Sequence, residues 1–482
     1  MSQPNVNLTV RDGALGILPS NAGRPLAVVG ESSAGSVAVP SSFARVEDAV
    51  AAFERGPLVE AGAYAIQRYG RPVVFVRTGE TTAGSYGSLT DGITGTSTPT
   101  IDSGTEPDDD YEVLIQFVAG GTIGTAGITY KESLDAGRTF SATKSLGTDE
   151  SITIPDSGGI TLDLGAGTIV AGDSVSFRAN APLWNGTQLT AALTALQNSA
   201  INWEICHVVG DIDAGAFDVI EASFAAMSAA KKNRSWIGNA RMPNEGESAA
   251  DYKTALEGIF GSKATTVGTM CAGAARTVSG VNGRQYRRPV SFIAAARVAS
   301  VAEHVNVADV KLGALPGVSI TDALGNPAEH NESVNPGLDD SRFLVLRTWE
   351  RRQGVYINRP LILSAAGSDF DIIPHRRVMN LVLDTVYDYF VERLNDDVLV
   401  DADTGFILEA EAKSIESACN SRLSAAIAGP KATAAYVVLS RTDNLLSSKT
   451  FTGNAVLVPL AYPENANISV GFSNPALQVV AT

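Results

Sequence analysis

The residues best placed to do chemistry together are Asp369, Asp371 and His375. Two carboxylates and an imidazole so close in sequence are the raw material of a metal site or an acid–base pair. They also flank Pro374, and proline suits the first turn of a helix, where its missing N–H costs nothing. Acidic residues there complement the helix dipole and cap free N–H groups, and this structural role is the favoured reading. Cys206 and His207 are adjacent on an apolar run that reads as a strand. Neighbours on a strand point to opposite faces, so they cannot share a metal, and a packed thiol beside an ordinary histidine is expected. The acidic triplet Asp108, Asp109 and Asp110 is at most half of a calcium site and reads as a solvated loop. Gly30 and the following ESSAGS sit where phosphate-binding loops sit, but there is no GxGxxG and no GK[ST]. GxSxG and HExxH are also missing, and there are only four histidines, His207, His304, His330 and His375. The sequence therefore points to a protein that is not an enzyme, with no cofactor and no metal.

The elements that must carry these residues form a mixed α/β pattern. Residues 26–30 (LAVVG) and 72–76 (PVVFV) are buried strands, separated by helical periodicity over 46–54 and 57–69. Residues 187–200, 214–233 and 251–260 read as helices, with strands at 203–209, 236–239 and 265–271. Repeated strand–helix–strand order implies an α/β domain whose second half follows an interruption. The interruption, 80–184, is rich in Gly, Thr, Ser and Asp and alternates short β-prone runs with glycine turns. It reads as an inserted all-β domain. Within it, 133–140 (SLDAGRTF) resembles the Asp-box of sialidases and other propellers, where Asp and Gly set a tight turn. A propeller needs several copies at a blade period, and one copy predicts a hairpin instead of a glycosidase. Residues 288–300 form a helix with small residues on its packing face. Residues 342–348, 354–357 and 361–363 are apolar strands. From Pro374 a helix follows, with Val378, Leu381, Val382, Val386, Tyr389 and Phe390 as its apolar stripe. Arg376, Arg377, Asp384 and Asp388 take its wet side. Residues 407–428 form another helix, which Gly429 and Pro430 stop, and 434–440 and 450–459 are strands.

Length and composition frame this pattern. A chain of 482 residues exceeds what one core supports, and 44% hydrophobic residues suffice for several. The formal net charge of −16 argues against a nucleic-acid surface. No apolar stretch is long enough to insert in a membrane, and the N-terminal residues lack a basic flank and apolar signal core, so a cytosolic product is expected. Cys206, Cys271 and Cys419 read as buried thiols of a reducing compartment, with an inter-subunit disulfide left open. The basic run 284–288 (RQYRR) is a candidate for meeting an acidic patch on another subunit.

Both ends of the chain carry a solitary alternating strand: Val6, Leu8 and Val10 at one, Ile468, Val470 and Phe472 at the other. Neither has a partner nearby in sequence. Uncovered edges of this kind invite pairing, and a neighbouring subunit can supply it by strand addition.

In order along the chain, RPLAVVGESSAG with SSFARVEDAVAAF, RPVSFIAAARVASV, GVYINRP, HRRVMNLVLDTVYDYF and KTFTGNAVLVPLAYPENANISVGFSNPAL resemble the tail sheath proteins of contractile phages and related machines. The likeness covers roughly 19–77 and 285–482, and more loosely 187–280. Residues 80–184 depart from the shared core, where such insertions vary. The resemblance implies a multidomain, mixed α/β sheath fold with extended arms. It assigns 1–22 to an N-terminal strand arm, 23–79 and 185–300 to a middle α/β domain, and 80–184 to an outer β-rich domain. It assigns 301–464 to an inner domain and 465–482 to a C-terminal strand arm. It further implies a homo-oligomer of stacked hexameric rings around a tail tube, with baseplate and tail terminator proteins as partners and no direct nucleic-acid contact. Contraction then drives the tube through a host envelope, in a virion tail assembled in the host cytoplasm. The arms would link subunits, and Arg284, Arg287, Arg288, Arg376 and Arg377 are candidates for inter-subunit or tube-facing charges. The alternatives are the sheath of a phage-derived bacteriocin or secretion machine, another virion structural protein, or, less favoured, a carbohydrate-binding protein or glycosidase using the β insertion.

Overall fold

A computed structural model describes residues 25–330 and 337–472. The chain forms two compact units, one running to Val398 and one beginning at Leu399.

The first unit is built on a six-stranded sheet. β1 (Leu26–Gly30) lies between β3 (Val73–Arg77) and the strand Ile205–Asp211, which continues to Ser235–Asn239 and then Gly268–Cys271. These five are parallel, and the short β2 (Ser41–Phe43) adds antiparallel to the outer edge of β3. Parallel strands covered on both faces must be apolar throughout, which is why LAVVG and VVFV read as continuous apolar runs. Alternate residues go to opposite faces. Leu26 and Val28 join α1 (Val46–Phe53), α2 (Pro57–Tyr69) and α6 (Val290–Ser300) in one core. Ala27 and Val29 join α3 (Gly186–Asn198), α4 (Ala214–Ala229) and α5 (Ala249–Phe260) in the other. Helix α2 lies very close to the sheet, since a Cβ at Gly62 would stand 2.0 Å from the Phe75 ring. The chain moves outward from β1 to β3, then returns to the far side of β1, so the strand order reverses between β1 and Ile205–Asp211.

Residues 80–184 interrupt the sheet between β3 and α3. Their neck is closed by a bridge between Thr82 and Leu183. Tyr111–Ala119, Thr129–Ser133 and Ser174–Asn180 are the main antiparallel strands. Inward residues Val113, Ile115, Phe117, Val175 and Phe177 share a separate core with Ile128, Ile152 and Leu162.

A hairpin of Ala274–Val278 and Gln285–Pro289, extended by Ser319–Thr321, was not evident in the sequence. Beyond it, Phe343, Val345 and Leu363 enter one core of the sheet, and Leu344, Leu346, Ile357 and Ile373 enter the other. Strands Leu346–Trp349 and Arg352–Ile357 pair, whereas 361–363 form no strand but bridge from Leu361 to Ile372 and bond through Leu363 to Gly268 O and the Thr265 N–H. Helix α7 (Ile373–Val391) begins with Pro374 in its first turn, as expected. Val378, Val382 and Tyr389 are buried, but so are Arg376 and Arg377, which the periodicity had placed on the wet side. Their aliphatic stems pack while the guanidinium heads meet fixed partners, so charge alone did not decide their direction.

In the second unit α8 (Glu409–Ala426) packs on a two-stranded antiparallel sheet, Ala434–Leu439 with Gly453–Val458. Ala412, Ile415, Cys419 and Leu423 face Ala435, Val437 and Leu439. Helix α8 stops at Ala426, before Gly429 and Pro430. Residues 459–472 form no strand, and Ile468, Val470 and Phe472 are 80%, 94% and 111% exposed. Val6, Leu8 and Val10 lie outside the described residues.

Candidate functional site

The residues singled out for chemistry are dispersed through the first unit. His375 Nδ1 lies 3.3 Å from Asp371 Oδ1, one helical turn apart. The N-cap is Ile372, which has no side-chain cap, so neither Asp369 nor Asp371 caps α7. Cys206 and His207 point to opposite faces as expected. Cys206 lies in the core with α3 and α4, and burial pushes its thiol up. His207 Nε2 lies 3.0 Å from Ser291 Oγ on α6, and burial pushes its pKa down to about 3. All three cysteines are free and buried. Among the described residues no cluster of three or more His, Cys, Asp or Glu is arranged to hold a metal.

The Asp-box is a hairpin turn. Ser133 Oγ donates to Asp135 at 2.7 Å, and Thr139 donates to Asp135 through its backbone N–H and its hydroxyl, both at 2.8 Å. The turn needs left-handed backbone at Ala136 and Gly137, with φ of 57° and 79°. Burial opposes ionisation of Asp135, but the hydrogen bonds from Thr139 and Ser133 outweigh it and hold the carboxyl below its usual range.

The acidic triplet is not a solvated loop. Asp108 accepts from Arg55 Nε at 2.6 Å and from the Tyr111 hydroxyl at 2.7 Å. Asp109 takes both terminal nitrogens of Arg288, at 2.8 and 2.5 Å. Asp110 accepts the Ala181 N–H at 2.8 Å. Asp108 and Asp109 are buried because arginines of the sheet domain meet them there. A further pair, Arg276 with Glu112 at 2.6 Å, and the Gln285 N–H donating to Asp135 at 3.3 Å, complete the seam between the insertion and the hairpin.

Four of the five arginines named as interface charges are buried inside the subunit. Arg287 donates to Pro243 O, Arg288 is held by Asp109, and Arg376 lies over the Phe370 ring at 5.2 Å. Arg377 grips Glu204 through Nε at 2.6 Å and Nη2 at 3.1 Å, and its Nη1 reaches the carbonyls of Val298, Val301 and Ala302 at the end of α6. Arg284 alone of the five is part-exposed. Arg287, Arg288 and Arg377 find their partners 44, 179 and 173 positions away, beyond the reach of local periodicity.

In open α/β sheets the crevice beyond the strand ends, where the order reverses, is the usual ligand position. Here a cavity of about 400 Å³ lies there, bordered by Gly210, Asp211 and Arg287, and by Arg178 and Ala181 of the insertion. Trp184 closes part of it, donating its indole N–H to Val209 O at 2.8 Å.

The family profile described as "DUF2586, N-terminal domain" matches residues 3–359. The chain belongs to the DUF2586 family. No curated protein matches this DUF2586 sequence. Among solved structures, it is similar to the PVC sheath of an extracellular contractile injection system in the contracted state, at 9% identity and a TM-score of 0.55, over 98% of each chain. A chain of the anti-feeding prophage baseplate matches at 9% identity and TM-score 0.51, covering 98% and 99%. The contracted anti-feeding prophage helical sheath matches at 11% identity and TM-score 0.50, covering 98% and 100%. The DUF2586 chain thus has the fold of contractile sheath proteins, the mixed α/β class expected from its sequence.

Proposed function

We propose that this chain is the structural subunit of a contractile sheath. Copies stack as hexameric rings around a tail tube, attach to baseplate and terminator proteins, and contract to drive the tube through a cell envelope. The observation that carries this reading is the match to the PVC sheath over 98% of both chains. In this reading 1–22, 301–464 and 465–482 lie nearest the tube, 23–79 and 185–300 form the middle, and 80–184 faces outward. The ends link the rings by strand exchange. The exposed, alternating Ile468, Val470 and Phe472 support this, as do the outer edges of the sheet in the second unit, which no strand among the described residues pairs. Part-exposed Arg284 is a contact for a neighbouring acidic surface.

A phage tail and a phage-derived injection machine use the same part. We assign this chain to a phage virion tail used for genome delivery, with the sheath of a phage-derived contractile bacteriocin or secretion machine as the alternative. Negative-stain microscopy of the purified protein tests the sheath reading. Hollow, transversely striated tubes are expected. A protein that stays monomeric at high concentration, and does not decorate a cognate tube, would sink it.

A further inference from the structure

Where the β insertion sits on the sheet domain, three charges are shut away from solvent. Asp109 precedes the Tyr111–Ala119 strand, Arg288 lies on Gln285–Pro289, and Glu60 lies on α2. Their exposures are 2%, 2% and 8%. Arg288 donates two hydrogen bonds to Asp109, while Glu60 Oε2 stands 4.0 Å from Arg288 Nη2 and Glu60 Oε1 accepts the Ser279 hydroxyl at 2.9 Å. Two carboxylates against one guanidinium leave one negative charge in excess. Burying an uncompensated charge is far more costly than binding a proton.

The surroundings do not supply the missing positive charge. Asp110 adds a carboxylate and a carbonyl, the latter 3.3 Å from Arg288 Nη1. Tyr111 and Tyr286 pack against each other with ring centroids 5.8 Å apart, and burial pushes both phenols up, so they stay neutral. Arg55 is taken by Asp108 at 2.6 Å and Asp156 at 3.5 Å. Arg284 borders a cavity of about 270 Å³ that Glu60 and Asp109 also line, and among the described residues no ion pair joins it to either carboxylate.

We propose that Glu60, Asp109 and Arg288 form a one-proton switch that sets how firmly the β insertion is seated on the sheet. With the proton bound the triad is neutral and the seat is tight. When the proton leaves, the excess charge loosens it. Burial, opposed by Arg288 and reinforced by Glu60, pushes the Asp109 carboxyl up to about 7, and burial raises Glu60 as well. The proton belongs to the pair and not to either residue. A carboxyl raised in the folded state contributes stability that is present at low pH and is lost as pH rises through that value. The seat therefore weakens as pH rises from the ordinary carboxyl range to about 7 and stays weak in mild alkali.

The test uses the full-length protein, with Glu60→Gln and Asp109→Asn as separate variants. Each leaves Arg288 with one carboxylate. Two readouts are compared between about pH 6 and about pH 8.5: the protonated-carboxyl band in infrared difference spectra, and hydrogen exchange at amides 111–119, corrected for intrinsic rates. In wild type the band should vanish and exchange at 111–119 should accelerate at least about tenfold as the pH rises, a threshold equal to about one pKa unit of coupling. Both variants should lose the acceleration and the triad's share of the band, leaving the share of Asp211, whose carboxyl burial also pushes up to about 7. If one variant fails to fold, the other still carries the comparison. A wild-type spectrum without the band at about pH 6 overturns the proposal. So does a pH response that either folded variant retains unchanged.

Discussion

Replacing Arg377 by alanine tests whether buried ion pairs hold α7 on the sheet. Arg377 is 4% exposed, and its partner Glu204 is 6% exposed at the entry to the strand Ile205–Asp211. The substitution leaves the Glu204 carboxylate buried with both charge-assisted bonds gone, which typically costs about 3–5 kcal/mol. It also strips Nη1 from one carbonyl in the last turn of α6 and two just past it, where a cation complements the helix dipole by roughly 0.3–1 kcal/mol. The expected loss is about 4 kcal/mol, a large share of the stability of an ordinary domain. Urea unfolding followed by the fluorescence of Trp203 and Trp236 reads the first unit directly. The double variant Glu204→Gln with Arg377→Met, which removes both charges and keeps the volume, should recover most of the loss. An Arg377→Ala protein within about 1 kcal/mol of wild type would refute the argument, since that is the value of an exposed pair.

Other outcomes follow from the same geometry. Asp135→Ala removes three hydrogen bonds within the turn and one from the Gln285 N–H across the seam, and should cost about 1–3 kcal/mol, seen as faster hydrogen exchange at 129–145 and at Gln285. Cys206 and Cys271, buried with thiols pushed up, should be inert to a thiol reagent in the native protein and react fully in urea, and rapid native labelling would contradict their placement. Deleting residues 1–12 should leave a folded subunit that does not polymerise, and normal tubes from that truncation would refute the arm assignment.

Much of the fold is legible in the sequence because parallel strands and amphipathic helices write their burial into local periodicity. LAVVG, VVFV and the Pro374 start of α7 are cases where one short window holds all the information. The seams between segments are not legible that way. Arg288 and Asp109 are 179 positions apart, and Arg377 and Glu204 are 173 apart, so no window contains both members of a pair. A pattern reading must then send each charge to water. That sent the acidic triplet to a loop, Arg376 and Arg377 to the wet face of α7, and RQYRR to a surface patch, and it hid the Gln285–Pro289 strand. A signal was present: a block of three aspartates beside a β-strand and a block of arginines before a helix, of opposite sign. The alternation of Ile468, Val470 and Phe472 was legible, but nothing within the described residues pairs with it.

The seams also bear on how the insertion travels if the subunit contracts as proposed. A domain tethered only by its neck, the bridge between Thr82 and Leu183, would swing about two strands. This one is also held by Arg55 to Asp108, Arg288 to Asp109 and Arg276 to Glu112, and Arg178 donates to Ala323 O at 2.6 Å. These contacts come from the residue before the Gly56 cap of α2, from both hairpin strands and from the 323 loop, so four separate segments hold the insertion. Buried, bidentate pairs have narrow geometry, so they break before they slide. The insertion should therefore follow the sheet as one piece. Spin labels at Thr153→Cys on the insertion and Ala225→Cys on α4, both at exposed positions, measure this while the three native thiols stay buried. The distance distribution should be the same in extended and contracted sheaths. A shift larger than the width of the distribution would show that the insertion is hinged, and that the charged seam is not what sets its position.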